Sequence, residues 1–374
     1  MTTLFFYGTL RYPALLKRVL GRDVPLIAGE LPRHRTVWAA GESFPMIIPD
    51  AGACAPGVLA TDLTPDDIAR LDFYEGAFAY DLEEVTVETA EGPVPALVYF
   101  CHDAPWRPGA DWALEDWAKT WGDLTLIAAE EVMRAFGRET AAEVGARFPI
   151  IRARAQAQVR ARARARPVTL STRLTREDVI VTGLNRPYEK FFALEEYQTV
   201  MRRFDGQQSH PGERAIFRVA DAVTVLPYDP VRDHVLLIEQ LRIGAYAQGD
   251  PQPWLLEPIA GIVDAGESYE ETARREAREE AHVEIDTLHE VAGYYPSPGG
   301  VAQYLVSYIG LADLPETRAD TGGLDVEGED IRNFRVPFDR LMAMLDSGEL
   351  VNAPMILSAQ YLARHRDRLR AQSA

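Results

Sequence analysis

The stretch GIVDAGESYEETARREAREEAHV, Gly261 to Val283, decides how the rest of the chain is read. Ser268 followed three residues later by Glu271 is a capping box, so a helix is predicted from Tyr269 and the acidic run lies on it. On that helix Glu276 and Glu280 are four residues apart, and Glu279 is three from Glu276. Two carboxylates therefore share a face and a third flanks them. Anions so close repel one another, and a hard divalent cation relieves the repulsion; an all-oxygen set suits magnesium or manganese better than zinc. The plainer reading of a Glu/Arg run is a solvated helix face.

The spacing resembles the Nudix box of nucleoside-diphosphate hydrolases, G-x5-E-x7-R-E-U-x-E-E-x-G-U. Gly261, Glu267, Arg275, Glu276, Glu279 and Glu280 stand at its fixed positions, with Ala277 and Val283 at apolar ones. His282 replaces the last glycine, so a slightly costly positive-φ turn with an intact site is expected. Upstream, IEQLRIGAY (238–246), WLLE (254–257) and Ala260-Gly261 resemble the ADP-ribose pyrophosphatase branch. Downstream, Pro298 of the SPGG run (297–300) lies fifteen residues beyond Val283, and GLDVEGEDI (323–331) matches the branch's E-x-E-D-I loop.

The resemblance implies a role for each matching residue. The Ala260 carbonyl, Glu276 and Glu280 are the principal metal ligands, with Glu279 and Glu329 as closer or outer partners. Glu327 aligns with the base. Arg275 pairs with Glu267 or Glu279 rather than with substrate. Arg242 and Arg214 are candidates for phosphate or adenine contacts, and Pro298 and Gly299 belong to the substrate loop. Val301-Ala302-Gln303 departs from the polar pair usual after SPGG, which bears on the terminal-ribose contacts. The implied reaction is magnesium-dependent hydrolysis of ADP-ribose to AMP and ribose 5-phosphate, with manganese as a second metal. Another nucleoside diphosphate, such as NADH or a nucleotide sugar, and a non-catalytic nucleotide sensor are the alternatives. The expected fold is an α/β/α sandwich closed by helices at Pro337–Leu345 and Pro354–Arg370, in a homodimer whose exchange uses residues 168 to 215.

At the other end of the chain, Thr3–Phe6 reads as a strand entering Tyr7-Gly8-Thr9-Leu10, where Gly8 breaks the β pattern and the turn's backbone amides can hold a carboxylate. Thr64 caps a helix with Pro65 at its first position, and Leu71-Asp72-Phe73-Tyr74-Glu75-Gly76 ends it. YGTL followed by LDxxEG resembles the γ-glutamylcyclotransferase-like family. That implies a barrel-like domain in which Tyr7, Gly8, Thr9 and Leu10 bind the α-amino-acid end of a γ-glutamyl amine and Glu75 is the general acid/base. An apolar surrounding would raise the Glu75 pKa towards that task. The alternative is a Glu-Gly that ends a helix in a domain that kept its fold without the activity. Glu83–Val87 and Val94–Cys101 read as later strands, and Trp106, Trp112, Trp117 and Trp121 as packing residues.

Between these regions lies Ile151–Arg166, IRARAQAQVRARARAR. Its period of two suggests a strand, but Ala, Arg and Gln form helices better than strands, so a helix is expected that stops before Pro167. It reads as an inter-domain helix neutralised by acidic faces, or as an anion-attracting arm. The expected division is a cyclotransferase-like domain over 1–125, a helical Arg/Ala-rich linker over 126–167 and a Nudix domain over 168–374. Val168–Thr172, Val179–Leu184, Ala215–Val219, Ala222–Leu226 and Val235–Glu239 are predicted strands.

A length of 374 residues suggests two or three domains, and a formal net charge of −18 argues against general nucleic-acid binding. Two cysteines, Cys54 and Cys101, make no disulfide framework. The first ten residues carry no basic region, and no apolar run spans a membrane, so a cytoplasmic protein is expected. The whole reads as an α+β protein. Fusions of this type are associated with tellurite resistance, an association without a mechanism.

Overall fold

The computed structural model describes residues 2–76, 81–100, 105–171, 174–314, 321–323 and 330–371. The chain divides into two compact units, Met1–Ala163 and Arg164–Ala374.

The first unit runs β1 (Thr2–Phe6), α1 (Pro13–Leu20), β2 (Leu26–Ala39), β3 (Pro45–Leu63), α2 (Pro65–Glu75), β4 (Asp81–Thr89), β5 (Gly92–Phe100), β6 (Pro108–Asp111), α3 (Leu114–Arg134), α4 (Ala141–Ala146) and α5 (Phe148–Ala163). Strands in the order β3-β1-β5-β4-β2 close on themselves, because β2 pairs with β3 as well as β4, and β6 joins at β2. Closure leaves these strands without a free edge and gives them a shared interior, filled by Phe5, Leu59, Val87 and Val98. Both expected later strands fall within β4 and β5, except that Cys101 lies outside the described residues. The α2 start is also as expected. Thr64 Oγ accepts from the Asp67 amide at 3.2 Å, and the Asp67 carboxylate accepts from the Thr64 amide at 2.8 Å.

The Arg/Ala-rich run is helical, and the helix ends at Ala163, inside the first unit. Its expected place as a linker differs from this arrangement for a steric and an electrostatic reason. Ile151, Ala153, Ala155 and Ala157 are buried, small enough for close packing. Arg154, 0 % exposed, forms an ion pair with Glu131 of α3. Such a pair is costly to break, because either partner alone would be a buried charge.

The second unit begins with β7 (Val179–Glu189), β8 (Ala193–Met201), β9 (Gly212–Arg218), β10 (Ala222–Asp229), β11 (His234–Leu241), α6 (Ile243–Gln248), β12 (Trp254–Glu257) and β13 (Ile259–Ile262). It continues with α7 (Tyr269–Ala281), β14 (Thr287–Tyr294), β15 (Val301–Ala302), β16 (Leu305–Leu311), β17 (Thr321–Gly322), β18 (Ile331–Pro337), α8 (Phe338–Ser347) and α9 (Ala353–Ala371). The main sheet has the order β14-β16-β10-β11-β18-β17, with β12 on β11 and β13 on β10. Period-two alternation gives it two apolar faces. Val223, Val225, Leu236 and Ile238 pack with Ala273 and Ala277 of α7. Leu226, Tyr228, Val235 and Leu237 pack with Leu341 of α8 and Leu362 of α9. A separate sheet has the order β15-β9-β8-β7.

One predicted strand is absent. Residues 168–171 form no strand, Leu170 is 97 % exposed, and Thr172 lies outside the described residues. Apolar and β-branched residues do not make a strand without a neighbour to take their ladder bonds.

Candidate functional site

The acidic helix of the second unit is built as its spacing requires. Ser268 Oγ accepts from the Glu271 amide at 3.2 Å, and Glu271 accepts from the Ser268 amide at 2.7 Å. At the other end His282 adopts φ 53° and ψ 34°, the left-handed conformation expected of a glycine there. Its amide donates to the Arg278 carbonyl, and that of Val283 to the Ala277 carbonyl, both at 3.0 Å.

Arg275 organises the carboxylates between these ends. Its Nε and Nη2 donate to the two Glu267 oxygens at 2.9 and 3.0 Å, and its Nη1 donates to Glu276 at 2.7 Å and Glu279 at 3.0 Å. Burial alone would raise the Glu267 carboxyl, but the Arg275 guanidinium and the Thr272 hydroxyl hold it below the usual range. Sequence reasoning had Arg275 on Glu267 or Glu279; it holds both, and Glu276 as well.

Glu276 and Glu280 reach the strand before the helix. A Cβ on Gly261 would overlap the Glu276 carboxylate, which would have to leave its place on this strand to admit one. Glu280, 2 % exposed, accepts from the Ala260 amide at 3.2 Å. Glu276 and Glu280 thus both reach β13, at Gly261 and at the Ala260 amide, and these side chains offer only oxygen, which fits a hard divalent cation. Among the described residues no three His, Cys, Asp or Glu side chains converge on one point; Glu276 and Glu279 are turned onto Arg275. Gly322 packs on the Glu280 carbonyl, which also accepts from Asn333 Nδ2 at 3.1 Å. Glu327 and Glu329, the expected base and metal contact, lie outside the described residues.

The other expected contacts are dispersed. Arg242 donates from Nε to the buried Glu257 at 2.7 Å, and Asn352 Nδ2 donates to the second Glu257 oxygen at 2.8 Å. Arg214 lies on β9, exposed, with Nη1 on the Glu213 carbonyl at 2.7 Å. The loop bearing Pro298 and Gly299 docks on that same strand, where the Phe217 amide donates to the Gly300 carbonyl at 2.8 Å. Gln303 holds the Ala220 carbonyl at 3.1 Å.

In the first unit β1 ends at Phe6, and Tyr7-Gly8-Thr9-Leu10 turns into a short helix whose Arg11 amide donates to Gly8 at 3.0 Å. Tyr7, Gly8, Thr9, Leu10 and Glu75 line one cavity of about 100 Å³. Glu75 is half-buried, has no hydrogen-bond or ion-pair partner among the described residues, and is pushed up by burial to about 7. A carboxyl poised there suits proton transfer. Tyr99 donates to Asp72 at 2.7 Å, tying the last turn of α2, which ends at Glu75, to β5. Sequence reasoning missed this anchor and also Arg152 of α5, which lines the cavity. Nothing in the Arg/Ala alternation marks Arg152 out from its neighbours.

Comparison with known proteins matches residues 4–119 to the family described as gamma-glutamyl cyclotransferase, AIG2-like, and residues 218–358 to the NUDIX domain. The chain is 38 % identical over 208 residues to an ADP-ribose pyrophosphatase of Escherichia coli, covering 56 % of this chain and 99 % of that protein. It is 33 % identical over 190 residues to the ADP-ribose pyrophosphatase of Haemophilus influenzae, covering 50 % of this chain and 87 % of that one. A GDP-mannose pyrophosphatase of Yersinia enterocolitica is 33 % identical over 152 residues, covering 41 % and 78 %.

Proposed function

Because this chain belongs to the Nudix family, as a hydrolase of the ADP-ribose pyrophosphatase branch joined to a γ-glutamylcyclotransferase-like domain, we propose the following division of labour. The second unit cleaves the pyrophosphate of ADP-ribose with water, giving AMP and ribose 5-phosphate. The observation that carries this reading is the oxygen-only set of Ala260, Glu276 and Glu280 on β13 and α7, with Glu280 on the Ala260 amide and Arg275 on Glu276.

A bound divalent cation supplies charge neutralisation at the phosphates and a water of lowered pKa. Magnesium is the ion proposed, with manganese as the second choice on the same donor chemistry. The Ala260 carbonyl, Glu276 and Glu280 would hold it, with Glu279 and Glu329 beside them. Glu327 takes the proton of the attacking water. Arg275 keeps the carboxylates aligned, while Arg242, Arg214, Pro298 and Gly299 orient the nucleotide. The apolar residues exposed on β7 to β9, Val179, Ile180, Val181, Tyr188 and Phe217, suit the contact of a homodimer. Among the described residues no helix is long and apolar enough to cross a membrane, and the proposed location is the cytoplasm.

Product analysis of ADP-ribose with magnesium tests the assignment. AMP and ribose 5-phosphate from the wild type, absent with Glu280→Gln, are expected. Preferential cleavage of NADH or GDP-mannose would move the substrate, and no turnover of any of them would leave a nucleotide sensor.

A second reading rests on Glu75. The first unit acts as a γ-glutamylcyclotransferase in which the Tyr7–Leu10 turn holds the α-amino-acid end of the substrate. Glu75 carries protons from its α-nitrogen to the leaving amine.

A further inference from the structure

One arginine outside the residues matched to the NUDIX domain, 218–358, is built into the framework of the second unit. Arg164 directly follows the last residue of α5 and is the first residue of that unit. The Arg/Ala alternation sets no member of the run apart, yet Arg164 meets four side chains from distant parts of the sequence. Its Nη2 donates to Tyr269 Oη at 3.2 Å and lies 3.5 Å from the Asp221 carboxylate, and Tyr269 donates to Asp221 at 2.6 Å. Its Nη1 donates to Tyr295 Oη at 3.3 Å, and its guanidinium carbon lies 3.4 Å from the Tyr304 ring centroid. A planar cation can stack on a ring and still donate along its edges to separate groups.

These contacts join two parts of the hydrolytic site. Tyr269 is the first residue of α7, the helix that carries Glu276, Glu279 and Glu280. Tyr295 and Tyr304 bracket the loop that carries Pro298 and Gly299, and their rings meet edge to face with centroids 5.1 Å apart, closing the loop at its base. Gly293 makes room for this closure, since a Cβ there would lie 2.5 Å from Tyr304 Oη. Tyr269 and Tyr304 both pack on the core cluster that α7 shares with the main sheet. Asp221, 3 % exposed just before β10, gives the guanidinium a fixed counter-charge.

We propose that Arg164 is a positioning residue for the pyrophosphatase reaction: it fixes the base of the Pro298–Gly299 loop against the start of α7 and so sets where the nucleotide lies relative to the carboxylates. This rests on the hydrolase reading of the second unit. Arg164 acts through the two loop tyrosines and not on the substrate itself. The helix keeps its own start in the Ser268–Glu271 capping box, so removing Arg164 displaces the loop and leaves the carboxylate spacing alone. The effect therefore falls on substrate binding more than on the chemical step.

The test compares ADP-ribose hydrolysis by the full chain and by Arg164→Met, with magnesium titrated in parallel. KM for ADP-ribose should rise about tenfold, the scale of one charge-assisted hydrogen bond, with kcat and the magnesium concentration for half-activation little changed. Arg164→Lys keeps a cation over Tyr304 and should recover part of the loss. Tyr304→Leu removes the ring while leaving Asp221 its cation, and should raise KM in the same way even where Arg164→Met folds poorly. An unchanged KM in these variants, or a loss confined to kcat, overturns the proposal. So does a loss that only follows denaturant stability from variant to variant. If the wild type hydrolyses no nucleotide, the hydrolase reading fails, and calorimetric binding of ADP-ribose decides Arg164 separately. Binding weakened about tenfold in Arg164→Met and Tyr304→Leu sustains the positioning role, whereas unweakened or absent binding rejects it.

Discussion

In the second unit three carboxylates, Glu267, Glu276 and Glu279, share one guanidinium, with a fourth, Glu280, buried beside them. In the first unit Glu75 lines a largely apolar cavity with no ion-pair partner among the described residues, and burial carries it to about 7. Crowded carboxylates around one guanidinium are suited to gripping a cation; a solitary acid near neutrality is suited to moving a proton. The contrast assigns the two units different chemistries before any substrate is considered.

The sharpest way to break the contrast is a crossed pair of substitutions. Glu75→Gln should lower 5-oxoproline release by about 10²- to 10⁴-fold, the usual worth of a general acid/base. Glu280→Gln should lower ADP-ribose hydrolysis by on the order of 10³-fold, the scale of several kcal/mol of transition-state stabilisation. Each variant should leave the other reaction intact, and a loss of both activities in either one would show that the units do not work separately.

Arg275→Met tests whether crowding is what the arginine relieves. Three carboxylates would lose their shared cation, and denaturant unfolding should report a loss of about 1–3 kcal/mol, discounted because the group is partly exposed. A lost hydrolysis with unchanged stability would instead make Arg275 a substrate contact.

The pH dependence sharpens the contrast further. The folded Glu75 carboxyl lies above its ordinary value, so the base form predominates only above about 7. Below that, kcat/KM for 5-oxoproline release should fall about tenfold per pH unit. The same raised value lowers stability as pH rises from the ordinary carboxylate range to about 7, with no further change above. Glu267 has the opposite sign: its depressed value adds stability above the ordinary range that is lost as pH falls. A pH profile of 5-oxoproline release that is flat between 5 and 8 would remove Glu75 as the base.

The smallest effect belongs to His282. Its φ of 53° is adopted without strain by glycine. His282→Gly should therefore stabilise the second unit by about 0.5–1 kcal/mol, seen as a higher denaturant midpoint with hydrolysis unchanged.

How much of this was legible in the sequence differs between the two sites. The Gly261–Val283 constellation could be read directly, because the carboxylate partners of Arg275 lie within eight residues of it, Glu276 and Glu279 on the same helix and Glu267 just before its cap. The cavity around Glu75 could be read only in part. Tyr7 to Leu10 and Glu75 were found by their motifs, but Asp72 meets Tyr99 across 27 residues and Arg152 meets Ser43 across 109. Arg242 shows the same limit: its pairing with buried Glu257 comes from neighbouring strands, and nothing in IEQLRIGAY announces it.

The sequence by itself determined the capped acidic helix, its oxygen donors, the left-handed turn at His282 and the two motif-bearing halves of the chain. These depend on backbone hydrogen bonds and side-chain spacings within a few turns of helix. Only the tertiary structure decided that α5 belongs to the first unit, that residues 168–171 form no strand, and that Glu75 and Arg152 line one cavity. Those outcomes depend on which distant surfaces exclude water from one another, and local propensity does not encode that.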